Sequence, residues 1–175
     1  VSRTVLWIWG FRVEDQKLVC MFYKIYPGQN PVNIIREIAV ICSNYRVELI
    51  VGDAGEGHTS NNLLRNEVGY LRGFQVQYRA QKKAMVWTKE DRLMADRTTL
   101  IDNYFMLLKN QGVELATVEE MTPAFDDILN EYEEITLAGR KVWRHSPQKP
   151  DDCLHAGLFG WVAFKISQND LRFYQ

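Results

Sequence analysis

The sequence predicts an α/β domain, a mixed sheet with helices on its faces and no internal boundary between residues 1 and 175. Three observations carry that prediction. Two β-rich runs at the start flank a short charged turn, as in an antiparallel hairpin. Apolar residues at helical spacing then alternate with short aliphatic runs, the order in which helices connect strands. The last apolar run, after Pro150, has the length of a helix and an apolar face that can cover a sheet.

Each element follows in order. Val5-Leu6-Trp7-Ile8-Trp9 gives way to Glu14-Asp15-Gln16-Lys17, and Leu18 to Tyr26 resumes the β pattern. Asn30 and Pro31 give a helix start, and Ile34, Ile38, Ile41 and Tyr45 share one face. Val47 to Val51 is a short strand ending at Gly52-Asp53-Ala54-Gly55-Glu56-Gly57, so strand, helix and strand form a parallel crossover. Ser60, Asn61 and Asn62 cap a helix running through Leu63 and Leu64 to Tyr70, and Phe74 to Tyr78 is another strand. A basic loop holds Arg79, Lys82, Lys83, Lys89 and Arg92. Ile101, Tyr104, Phe105 and Leu108 set a helix from Thr98 to Asn110, which Gly112 ends. Pro123 starts a helix with Phe125, Ile128, Leu129 and Tyr132, and Thr136 to Arg144 is a small hairpin around Gly139. The final helix runs from Asp151 to about Ile166, burying Leu154, Leu158, Trp161 and Val162.

Composition limits the function classes. The chain is 46% hydrophobic and 25% charged, with a net charge of −1. Proteins that neutralise many phosphates of duplex DNA usually carry a basic surplus, so any nucleic-acid binding is local or assisted. No apolar run approaches the roughly 20 residues that span a bilayer, and no segment has the pattern of an export signal. Cys20, Cys42 and Cys153 are few, odd in number and widely spaced, which opposes a disulfide framework or a zinc site. A soluble, cytosolic protein with reduced thiols is expected.

Two acidic positions carry the chemistry. Pro150-Asp151-Asp152-Cys153-Leu154-His155-Ala156 places adjacent carboxylates in the first turn of the last helix, where the dipole and free N–H groups favour negative charge. Helix-start electrostatics and metal ligation both fit that pair. Asp53 lies where a strand runs into a glycine-rich turn, the end of an open α/β sheet at which ligands bind. Support of the turn by the Asp53 side chain is the competing reading. Glycines at 52, 55 and 57 match neither a dinucleotide fingerprint nor a Walker motif, and they leave room for a close approach. Projecting the buried face of the last helix back one turn brings Asp151 or Asp152 near the edge that holds Asp53. Gathered carboxylates repel, and a hard divalent cation relieves that repulsion, as in two-metal phosphodiester hydrolysis. His155, three and four residues after the aspartates, either shares their face and helps at the site or, the favoured reading, is a structural histidine; Cys153 is no nucleophile, and His58 and His145 are loop residues. Glu131, Glu133 and Glu134 form a solvated face. The basic residues from Arg79 to Arg97 either touch a phosphate backbone or form a solubilising loop.

Ser2-Arg3-Thr4-Val5, the Ile50 to Gly57 turn, Asn62-Leu63-Leu64, Arg97-Thr98, Ile101-Asp102 and the Asp151-Asp152 element together resemble the C-terminal nuclease domain of the large terminase subunit of tailed bacteriophages. The resemblance covers nearly the whole chain and implies a ribonuclease H-like fold. It further implies a metal-dependent endonuclease that cuts concatemeric double-stranded DNA during genome packaging, using two Mg²⁺ or Mn²⁺ ions held by three acids. Asp53 would be the second acid and Asp152, with Asp151, the third; Lys82, Lys83 and Arg79 would meet the DNA backbone. Partners implied are the terminase ATPase domain, the small terminase subunit and the portal, in the host cytoplasm and away from any membrane. The family's first acid precedes the Ser-x-Thr-Val step, where this sequence begins with Val1, so a fragment lacking that strand is expected. A resolvase of the same fold and a non-catalytic docking domain of the packaging motor are the alternatives.

Overall fold

The structure, a computed structural model, describes residues 3–28, 30–55, 58–69, 72–89 and 91–170, with backbone alone at 58 and 59. The opening hairpin forms as expected. Strand β1 (Arg3–Arg12) pairs antiparallel with β2 (Lys17–Pro27), with a bulge between Ile8 and Trp9 and Gln16 at positive φ in the turn. Strand β7 (Val113–Glu114) adds in parallel at Leu18 and Val19. Successive strand residues point to opposite faces. Leu6 and Ile8 therefore pack with Ile34, Ile35 and Ile38, whereas Trp7 packs with Met121, Ala124 and Cys153 on the other side.

The first of those partners belong to α1 (Pro31–Asn44), whose start was legible. The Asn30 side chain accepts from the Val32 N–H, and Pro31, which has no N–H to lose, takes the first position. A second sheet has the order β3 (Leu49–Asp53), β4 (Arg72–Tyr78), β6 (Arg92–Ala95), β5 (Met85–Lys89). Strands β3 and β4 are parallel and are joined by α2 (His58–Glu67), so the crossover is β3-α2-β4. This corrects the expected crossover through α1, because β2 and β3 lie in different sheets. Part of the expected basic loop is the antiparallel pair β5 and β6. Met85, Leu93 and Ala95 point inward there, and outward charges hide their alternation in the sequence.

Helix α3 (Arg97–Lys109) is capped by Asp96, whose side chain accepts from the Thr99 N–H. The left-handed residue after it is Gln111, not the expected Gly112. Helix α4 (Val118–Leu129) begins five residues before Pro123, which sits inside it and removes one helical hydrogen bond. Tyr132 lies beyond that helix, in the hairpin of β8 (Glu131–Ile135) and β9 (Lys141–His145), whose turn contains Gly139 at φ 72°.

The last element, α5 (Asp152–Ser167), is apolar all round because it is enclosed. Besides Leu154, Leu158, Trp161 and Val162, it buries Cys153, Gly157, Phe159 and Ile166. It packs on β1, β3, α3 and α4, and so bridges the two sheets. Glycine permits that approach. A Cβ on Gly157 would stand 3.2 Å from the Trp7 ring and 2.5 Å from the Tyr104 hydroxyl, and one on Gly160 would collide with Trp9. The Trp9 indole N–H also donates to the Gly157 carbonyl at 2.9 Å. Helices thus cover both faces, with α1 on one and α4 and α5 on the other. Among the described residues no helix is long and apolar enough to cross a membrane.

Candidate active site

The carboxyl ends of β3 and β4 and the first turn of α5 meet at one edge. Asp53 is the last residue of β3, opposite Val76, and its side chain is exposed. One carboxylate oxygen accepts the Gly55 N–H at 2.9 Å, so Asp53 supports the turn and still presents charge to solvent. Gly52 leaves room for Asn61, which lies within α2 rather than capping it and donates to the Asp53 carbonyl at 3.1 Å. Two residues beyond Val76, the half-buried Tyr78 hydroxyl lies 2.8 Å from His155 Nδ1, joining the end of β4 to the first turn of α5. Burial raises the Tyr78 pKa, the charge of Arg97 opposes the rise, and the charges of Asp151 and Asp53 add to it. Both carboxylates therefore lie within electrostatic reach of one hydroxyl.

Adjacent helix positions differ by about 100°, and the two aspartates of α5 diverge accordingly. Asp151 occupies the cap position but caps nothing. Its Oδ2 lies 2.9 Å from His155 Nε2, 3.2 Å from Arg97 Nη2 and 3.3 Å from His145 Nδ1. The His155 ring therefore bridges the two, with Nε2 facing Asp151 and Nδ1 facing the Tyr78 hydroxyl. Asp152 turns the other way, its Oδ2 3.2 Å from Arg3 Nε. Arg3 Nη2 donates to Asp127 at 2.6 Å, and the same Asp127 oxygen accepts the Cys153 N–H at 2.7 Å. The free first-turn N–H is thus capped from α4 by Asp127, and the helix start does not by itself account for the side chain of Asp151 or Asp152.

Burial alone would raise the pKa of Asp151. The hydrogen bond from His155, then the charges of His155, His145 and Arg97, outweigh burial and hold it well below the usual carboxylate range. A depressed folded-state pKa means stabilisation that is complete above the unfolded value, about 4, and lost as the pH falls through the folded value. Asp151→Asn should therefore flatten the decline of melting temperature as the pH falls below about 4. Equal slopes for parent and variant would contradict the pairing.

Five residues at this edge escaped the sequence reading. Arg3 stands in the quoted motifs without a role, Arg97 is neither a backbone contact nor a solubilising loop residue but is held by Glu131, Asp151 and the Trp143 carbonyl, and Asp127 carries no local signal. Glu131 is not part of a solvated face; its side chain is fully buried against Arg97 at 2.7 Å. His145 is not a loop residue but ends β9, and the side chain of His58 lies outside the described residues. Glu131, His145 and Asp151 each place one donor atom within 4.8 Å of the others, a group able to hold a metal ion. Arg97 Nη2 already lies 2.7, 3.2 and 3.5 Å from these donors. The Cys153 thiol is pushed up to about 12, chiefly by burial, and is no nucleophile. Arg79, Lys82 and Lys83 are exposed in the connection that begins directly after Tyr78.

This arrangement of strands, with helices on both faces and acids at the carboxyl edge, is the ribonuclease H-like α/β fold. More particularly, it is the fold of the large terminase nuclease from thermophilic phage G20c. The cobalt-bound structure of that protein superposes with a TM-score of 0.59 at 14% identity, over 90% of this chain and 81% of that one. The magnesium-bound structure gives 0.55 at 12% identity, over 92% and 82%. No protein-family model and no curated protein matches the sequence.

Proposed function

We propose that this protein is a metal-dependent endonuclease that cuts concatemeric double-stranded viral DNA during genome packaging. The observation that supports this most is the convergence of Asp53 with the first turn of α5 at the carboxyl edge of β3 and β4. It does so in a fold shared with one nuclease that was crystallised with cobalt and with magnesium.

Asp53, Asp152 and Asp151 would offer hard carboxylate oxygens, the ligands that Mg²⁺ and Mn²⁺ take, and Asp53 is exposed to receive them, although among the described residues the donors within 4.8 Å of one another are those of Glu131, His145 and Asp151, without Asp53 or Asp152. Two such ions supply a polarised phosphate and an activated water when bound. The chain's own residues do the rest. The Gly55 N–H fixes the orientation of Asp53, His155 fixes Asp151, and Tyr78 fixes the His155 ring. Lys82, Lys83 and Arg79 steer a DNA backbone toward the same edge, consistent with a local contact in a chain of net charge −1. The terminase ATPase domain, small subunit and portal are the proposed partners, in the host cytoplasm.

Incubation of the full-length protein with supercoiled plasmid and Mn²⁺ should give nicked and linear DNA, and a chelator should abolish it. Absence of cutting, or cutting that survives the chelator, would overturn the proposal. A second reading has its own observation. Leu129, Tyr132, Ile135 and Leu137 are exposed along and beside the β8–β9 hairpin, as on a surface that docks on another component of the packaging motor. Preference for branched over linear DNA would point instead to a resolvase.

A further inference from the structure

We propose that Arg3 and Arg97 are positioning residues of the metal centre, each anchored by a buried acid, so that the adjacent carboxylates of α5 are held apart and partly neutralised. This rests on the nuclease reading of Asp151 and Asp152. The two arms are built alike. Arg97 Nη2 is 2.7 Å from Glu131 and 3.2 Å from Asp151; Arg3 is 2.6 Å from Asp127 through Nη2 and 3.2 Å from Asp152 through Nε. In each arm the shorter contact goes to the more buried acid. Side-chain exposure is 0% for Glu131 and 2% for Asp127, against 22% for Asp151 and 35% for Asp152.

That asymmetry decides which contact is permanent. A buried acid without its partner is strongly destabilising, so each arginine is fixed to its buried acid. The longer, wetter contact to α5 is the one that can be exchanged. Further bonds lock the anchors, since Arg97 Nη1 donates to the Trp143 carbonyl at 2.8 Å and Asp127 accepts the Cys153 N–H. Arg97 Nη2 also lies among the donor atoms of Glu131, His145 and Asp151. That trio therefore accommodates an arginine nitrogen, and a metal ion there would have to displace it.

The sign of the change in metal affinity separates positioning from mere structure. In each arm the arginine is shared between two acids. Deleting it frees an α5 aspartate from a competing positive charge, whereas deleting the buried acid leaves the whole guanidinium to that aspartate. Mn²⁺ binding to the full-length protein, measured by calorimetry, should be about fivefold tighter in Arg97→Gln and Arg3→Gln. It should be about tenfold weaker in Glu131→Gln and Asp127→Asn. Arg97→Lys should restore parent affinity to within about twofold, because it keeps the charge. A purely structural role would move all four variants in one direction, and that result, with Mn²⁺ still binding the parent, would overturn the arginine role alone. No Mn²⁺ binding by the parent would overturn the nuclease reading and this role with it. Without metal, the melting-temperature losses of Arg97→Gln and Glu131→Gln should be less than additive in the double variant. Additive losses would overturn the pairing even if a single variant fails to bind.

Discussion

Asp53→Ala and Asp152→Ala, made separately in the full-length protein, should each lower Mn²⁺-dependent nicking at least about a hundredfold, on the order of 3 kcal/mol of transition-state stabilisation. Neither should unfold it. Asp53 is exposed at the end of β3 and among the described residues its side chain holds the Gly55 N–H, while Asp152 is half-exposed and its bond to Arg3 is the longer of that arginine's two. The cost to stability is that of a turn bond or a partly solvated ion pair, about 1 kcal/mol or less. Nicking rates and melting curves on the same preparations check both halves. Retained cutting by both variants would remove these residues from the site. A collapse of the melting temperature would show instead that they are structural.

Leu158→Ala should give the largest loss of stability, about 2–5 kcal/mol, because its side chain is fully buried in the main core cluster and leaves a cavity that the surrounding elements fill only in part. Helix α5 makes this more than a core effect. It bridges the two sheets, and its close seat on β1 depends on Gly157 and Gly160 beneath Trp7 and Trp9. The aspartates lie in its first turn, more than one turn from residue 158. Denaturant unfolding should therefore report the loss, while Mn²⁺ affinity of the folded variant stays within about twofold of the parent. A loss under about 1 kcal/mol would mean that α5 is not the element that unites the sheets.

Much of the scaffold was legible because local patterns decide it. The Asn30-Pro31 start, the charged turn between two β-rich runs and the aliphatic run into Gly52-Asp53 each specify geometry within a few residues. The positions of the candidate acids were legible for the same reason. Asp53 is marked by the strand end and Asp151-Asp152 by the helix start, but their surroundings come from remote sequence. Arg3 meets Asp152 across 149 positions and Asp127 across 124, and no periodicity encodes such a pairing. Glu131 looked solvated because it sits among exposed glutamates; it is buried because α3 brings Arg97 to it. Pro123 suggested a helix start, yet α4 tolerates it within its second turn, where tertiary packing of Met121 and Ala124 outweighs one lost hydrogen bond.

Calorimetric titration of the full-length protein with Mn²⁺, beside its Asp53→Ala variant, tests the central claim most directly. A carboxylate centre at the edge of β3 predicts saturable binding by the parent at millimolar metal or below, and its loss in the variant. No binding by the parent, or equal binding by both, would contradict it.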